Sequence, residues 1–445
     1  MADEYRFDDI YQLSHQNGQI PFVLDRGIEK YRPIEESDFS LANKAGESHI
    51  DAFGRLKVSN PKTLFESSHR YSKNDSWAEL STGVGSSGVF NVDQGLVDMN
   101  VDDSSGSEVI RETKKVFVYQ PGKSLLVMNT FVMSPAKNGL RQRVGYFGEK
   151  NGFYIQKNNS QVSLVERSFV SGSLTELEII QEDWNTDKLD GTGRSGITLD
   201  ISKAQILWMD VEWLGTGTVR MGFVIDGKFI ICHKFRHANL IEQTYITTAS
   251  LPLRYEITNT SATSGSSTLK QICSTVISEG GFGLVGAQQG VGTPITAPKD
   301  LGAVAGAYVP VVTIRLKSEF PDAIAILTAL SLVGITNNAN YRWEVIHGGV
   351  TAGGSGTWVS AAPNQSVEYK LDATSITGGR VLTTGYTQGS NQGSSTISLS
   401  KDSLFKFQLE RDFLNGEYYE ITLACASSIA GADVLGSLDW EEVSR

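Results

Sequence analysis

The dipeptide Asp226-Gly227, set between VRMGFVI and KFIICHKF, constrains what this chain can fold into more than any other local feature. Asp-Gly readily takes the positive φ angles of a type I′ turn, and both flanks are rich in β-branched and aromatic residues, so residues 219–235 are predicted to form a tight hairpin. The same grammar recurs along the chain. VFVYQ and SLLVMNTFVM flank the turn pair Pro121-Gly122, and RQRVGYF and FYIQ flank GEKNG. In ILWMDVEWLG, alternation puts Met209, Val211 and Trp213 on one face and Trp208, Asp210 and Glu212 on the other, which predicts one face in the core and one in water. With 45 glycines against 11 prolines, the turns are built mainly from Gly, Asn, Asp and Ser.

A second strand-rich block carries YVPVVTIRLK, YRWEVIH, STISLS, LFKFQLER and YYEITLACA. Between the blocks lies a Gly/Ala-rich tract, Gly280 to Gly306, containing GGFGLVGAQQGVGTP. Helical periodicity of useful length is almost absent; DAIAILTALSLVG fits a helix or a buried strand pair. No repeat of fixed period is visible. The first 60 residues are polar, with Ile20 to Leu24 as their one apolar patch. The expected architecture is mainly β: an N-terminal arm or docking segment (1–60), a β-sandwich (61–285), a linker (286–306) and a second β-sandwich (307–445). Both sandwiches are expected to be antiparallel, of jelly-roll or lectin-like type.

Charge excludes one class of partner. The chain has 50 acidic and 39 basic residues, a net charge of -11, and no basic run, whereas nucleic-acid binding needs clustered Lys and Arg that release counterions. The start, MADEYRFDDI, lacks the basic-then-apolar profile of a secretory signal, so export by a leader is not expected. The longest apolar stretch, Ala323 to Ile335, falls short of the ~20 residues of a membrane-spanning helix, so no membrane insertion is expected. Cys232, Cys273 and Cys425 are widely spaced and form no CxxC pair, which fits a reducing compartment and offers no zinc site.

Several motifs invite a chemical reading and fail on context. Gly83, Gly85 and Gly88, and again Gly191, Gly193 and Gly196, match G-x-G-x-x-G, yet neither set opens a helix that would hold a pyrophosphate. PGKS at Pro121 to Ser124 resembles the end of a phosphate loop, but Phe117 stands where its first glycine belongs. His233 and His237 have the i, i+4 spacing of a helical zinc pair but fall at the end of a strand, where His233, Phe235 and His237 share a face. Asp183, Asn185, Asp187 and Asp190 alternate oxygen ligands as a calcium loop does. An EF-hand would need glycine at Lys188 and glutamate at Arg194, so an oxygen-rich turn without metal is the plainer expectation. No cofactor is expected.

Asp210 and Glu212 stand apart. Two carboxylates on one strand face lie roughly 7 Å apart at ~3.4 Å rise per residue, within the range glycoside hydrolases use. Trp208 on that face would stack a sugar ring. Sandwich-fold glycosidases carry an E-x-D-x-x-E pattern, however, and Trp208 occupies the place of its first acid. No GxSxG elbow occurs, so the chain is not expected to be an enzyme.

DAFGRLKVSNPKTLFESSHRY (residues 51–71), YQPGKSLL, GLRQRVGYFGEKNGFYI, QEDWNTDKLDGTGRSGITLDISKAQI, WLGTGTVRMGFVIDGKFIICHKFRHAN, LPLRYEIT and QICSTVISEGG together resemble virion structural proteins of tailed bacteriophages, of marine and cyanobacterial type. The resemblance spans about residues 50 to 281 and keeps the order of the segments. It implies a capsid-associated, neck, fibre or tail-surface component, made in the host cytoplasm and assembled with copies of itself and other virion proteins. It carries no catalytic residues with it. A carbohydrate-recognition module for a host-surface glycan, using Trp208, Asp210 and Glu212, is the alternative expectation, and a glycan hydrolase the third.

Overall fold

The computed structural model describes residues 22–25, 30–33, 60–320, 322–389, 395–398 and 406–444. The chain divides into two compact units, Met1–Asn60 and Pro61–Arg445. The described part of the first is a hairpin of Phe22–Asp25 and Lys30–Pro33. The rest of the expected arm lies outside the described residues.

The described part of Pro61–Arg445 is almost entirely β, as the alternation predicts, and every strand pairing among its described residues is antiparallel. Its N-terminal half holds two sheets. One has seven strands in the order Thr175–Ile180, Gln161–Ser168, Gly152–Asn158, Leu140–Phe147, Leu253–Asn259, Glu108–Thr113 and Trp77–Thr82. The other runs Lys228–Phe235, Val219–Ile225, Gln205–Val211, Leu125–Val132, Ser267–Ser278, Leu96–Val101 and Ser87–Asn91, with Lys62–Ser67 also paired to Ser267–Ser278. The predicted hairpin is present: Asp226 and Gly227 have φ of 50° and 73°, the two positive angles a type I′ turn demands. Inward residues of both sheets, among them Tyr146, Phe153, Met209, Phe223 and Tyr255, form one core.

The C-terminal half repeats the plan. A six-stranded sheet runs Val359–Ser360, Val367–Lys370, Val309–Leu316, Ile421–Ser427, Asn340–His347 and Arg380–Gln388. A second sheet centres on Asp433–Ser444, which pairs with Ile324–Gly334 and Ala287–Gly292. Trp343, Leu423 and Trp440 lie in the core between them.

Three expectations need correction. The tract 286–306 is not a linker: Ala287–Gly292 and Lys299–Asp300 both pair with Asp433–Ser444, because an extended glycine-rich segment can still supply the backbone N–H and C=O groups that an open sheet edge lacks. DAIAILTALSLVG is neither a helix nor a strand pair but one long strand, Ile324–Gly334, buried alternately against two clusters. Of LFKFQLER, residues 406–411 are described, and they form no continuous strand: Gln408 makes a single bridge to Ile326, and Arg411 begins the short strand Arg411–Asp412.

VFVYQ is likewise extended without joining a sheet. Phe117 and Tyr119 enter the first core, while Val116 and Val118 pack on Ile324 and Ile326. Its polar backbone is satisfied from both halves: Leu251 O accepts from Phe117 N at 3.1 Å, and Gln408 Nε2 donates to Val116 O at 3.0 Å. The segment therefore joins the two sandwiches.

Candidate functional site

The edge strands Thr175–Ile180 and Lys228–Phe235, one from each sheet of the first sandwich, flank a groove of about 580 Å³. Leu164 fixes one side of its strand toward the core, and Glu166, two residues on, shares that side at the groove. His237 follows the other edge strand by two residues. Their side chains meet: His237 Nε2 lies 2.8 Å from Glu166 Oε2, and its Nδ1 lies 2.6 Å from the carbonyl oxygen of Gly217. The imidazole stacks on Tyr245 at 3.9 Å and 14°. Burial works against protonation of this ring, yet the hydrogen bond and charge of Glu166 outweigh it, so its pKa is raised. Two acceptors around one ring ask both nitrogens to donate, which is the protonated form.

His233 lines the same groove in the opposite state. Its Nδ1 accepts the Asn185 backbone N–H at 3.3 Å, so the neutral ring carries its proton on Nε2. Burial and then the charge of Arg236 lower its pKa to about 4. Asn185 is held in turn by the backbone of Lys234, at 2.9 Å to both its O and its N.

Asp210, Glu212 and Trp208 are placed elsewhere. Trp208 lies across from Gly222 and is only 5% exposed, with the Phe229 ring edge-on at 5.4 Å, so the indole has no open face for a sugar. Asp210 is paired with Arg220 on the adjacent strand, Nε to Oδ2 at 2.8 Å. Glu212 falls beyond the end of Gln205–Val211 and accepts from Thr218 N.

In the oxygen-rich loop Asp187 and Asp190 spend their carboxylates on the loop's own backbone, while Asp183 is exposed. Asp187 accepts from Leu189 N at 3.0 Å and Ser195 N at 2.7 Å, and Asp190 from Thr192 N at 2.8 Å. Among the described residues no group of three or more His, Cys, Asp or Glu side chains is placed to hold a metal ion. His233 and His237 do not converge on one point either, since each is committed to a different partner. The glycines of both G-x-G-x-x-G matches lie in turns and strands rather than before a helix: Gly83 and Gly85 in the turn before Ser87–Asn91, and Gly191 and Gly196 in a loop.

The outer face of the seven-stranded sheet carries a layered polar network that no local motif announces. Arg167 and Arg143 lie over Tyr154, each at 5.2 Å from its ring centroid, and Arg254 lies over Phe147 at 5.6 Å. Arg167 pairs with Glu176 at 2.7 Å, Arg141 with Glu256 at 3.0 Å, and Arg254 with Glu112 at 3.1 Å. These guanidinium groups already sit on carboxylates, which leaves the face largely self-satisfied. A second cavity, of about 500 Å³, opens where the pairing of Ser267–Ser278 is irregular and is lined by Glu66, Asn74, Met128 and the exposed Cys273.

No family model and no curated protein matches the chain. Among solved structures it is similar to the carbohydrate recognition domain of Emp47p, at 10% identity over 50% of this chain and 99% of that one, with a TM-score of 0.31. A legume lectin-like domain from Entamoeba histolytica gives 10% identity over 51% and 100%, with a TM-score of 0.28. A β-1,3-1,4-glucanase derived from a mouse hindgut metagenome gives 13% over 48% and 98%, with a TM-score of 0.29. None of these likenesses is close enough to carry a function to this chain.

Proposed function

We propose that the protein is a non-enzymatic structural component of a tailed-phage virion that associates with copies of itself through open sheet edges. The observation that carries this reading is the edge strand Arg380–Gln388. It is nine residues long, its outer edge is paired to nothing among the described residues, and Val381 and Tyr386 are 47% and 74% exposed. Beyond Arg380 it has no charge and no proline, the usual guards of an edge that is to stay single. The ordered sequence resemblance over residues 50 to 281 supports placing it in a particle. Sedimentation of the full chain tests the association: the native protein is expected to form oligomers that Val381→Lys with Tyr386→Lys disperses, and a monomer at all concentrations overturns it. Antibody labelling of intact particles tests the location.

A second reading, carbohydrate recognition, is favoured by the groove beside His233 and His237. It is open and lined mostly by hydroxyl, amide and charged side chains around a few apolar ones, the composition a saccharide with polar rims and apolar ring faces requires. Binding of the full chain on a glycan array, lost on changing groove residues, tests it.

A further inference from the structure

We infer that this groove binds a carboxylate-bearing saccharide, with Arg236 and the His233 Nε2–H as its carboxylate grip; the inference rests on the carbohydrate-recognition reading. Three observations lead there. First, His233 is 7% exposed, its Nδ1 is used by the Asn185 amide, and among the described residues nothing accepts its Nε2 proton. The Nε2–H is not fully buried and has no protein acceptor among the described residues, so it is open to donate to a ligand held in the groove.

Second, Arg236 lines the same groove as His233, is exposed, and makes no ion pair or hydrogen bond among the described residues. The anion of the groove, Glu166, is spent on His237. The unspent charge is therefore positive, and a guanidinium with a neighbouring N–H matches the two oxygens of a carboxylate.

Third, the remaining walls suit a sugar ring. Leu177 and Ile241, 54% and 36% exposed, offer apolar contact to its C–H faces, and Gln243 and Thr244 offer an amide and a hydroxyl to its hydroxyl groups. The volume of about 580 Å³ lies within the ~300–1,000 Å³ of ordinary ligand pockets.

The test is calorimetric titration of the full chain with trigalacturonate and trimannuronate, with their methyl esters as neutral counterparts. The acids are expected to bind and the esters to bind about tenfold or more weakly, with Arg236→Gln losing about tenfold in affinity for the acids and little for the esters. Arg236 is exposed, so this variant folds, and His233→Phe, which keeps a ring against Phe235, is expected to lose affinity in the same way. Equal binding of acids and esters, unmoved by Arg236→Gln, overturns the carboxylate grip and leaves carbohydrate recognition standing. No binding of any of the four, at concentrations up to tens of millimolar and with cooperative unfolding intact, overturns both.

Discussion

Glu166 and His237 are 71 residues apart in sequence and 2.8 Å apart in space, and their contact ties one sheet of the first sandwich to the segment that leaves the other. Side-chain exposures of 9% and 7% make it a mostly buried pair, so removing one partner strands the other. Because the folded pKa of His237 is raised, the pair's stabilisation is fully present below the ordinary value of 6.5 and is lost as pH rises through the folded value. Glu166→Gln is expected to lower the His237 pKa, seen by NMR titration of its ring protons. His237→Ala is expected to cost about 3 kcal/mol in denaturant unfolding at pH 6. A His237 that titrates no higher than a free histidine contradicts the assignment.

Glu112 gives stability the same direction of pH dependence from an acid. Burial, the largest effect, raises its pKa to about 7 against the pull of Arg254, and Asp412 and Glu149 push the same way as burial. The unfolded chain ionises this carboxyl near 4.5, so folding becomes less favourable as pH rises from there through about 7. Glu112→Gln is expected to flatten the stability profile over that window, measured as denaturation midpoints from pH 4 to pH 8. An unchanged slope counts against the shift.

The extended segment after Lys115 couples the two sandwiches. Val116, Val118, Ile324 and Ile326 form a small cluster, and Lys115 pairs with Glu410 at 3.2 Å beside it. Ile326→Ala is expected to cost about 2–4 kcal/mol. Ile326→Asp is expected to separate one calorimetric transition into two. A native protein that already unfolds in two independent steps shows that the cluster transmits nothing.

Asp187 separates a braced turn from a calcium loop. Its two carboxylate oxygens each accept a backbone N–H, and the residue is 4% exposed. Asp187→Ala is expected to lose about 1–3 kcal/mol by leaving those donors unmet. Adding calcium or a chelator is expected to leave the melting temperature of the native protein where it was, and a rise with calcium would assign the loop to the metal.

The strands were legible wherever periodicity and turn chemistry agreed. Asp226-Gly227 specified its hairpin because positive φ is a property of those two residues and needs no distant partner. VFVYQ misleads for a complementary reason: Val116 to Gln120 has the alternation of a strand, and both of its faces are buried, but its backbone partners come from Leu251 and Gln408 rather than from a ladder. The glycine-rich tract 286–306 misleads in reverse, since pairing with Asp433–Ser444 depends on a sheet edge more than a hundred residues away.

Local alternation by itself determined that the chain is built of antiparallel layers, and it assigned Met209 and Val211 to the core face and Trp208 and Asp210 to the other. Only the tertiary structure decided what that other face does. Phe229, from the strand Lys228–Phe235, packs edge-on against Trp208, and Arg220 takes Asp210, whereas Glu166, His233 and His237 come together at a groove no motif marks. The physical reason is range: φ, ψ preference and side-chain alternation act between neighbours in sequence, while burial, charge pairing and the meeting of two sheet edges depend on which distant strands become neighbours in space.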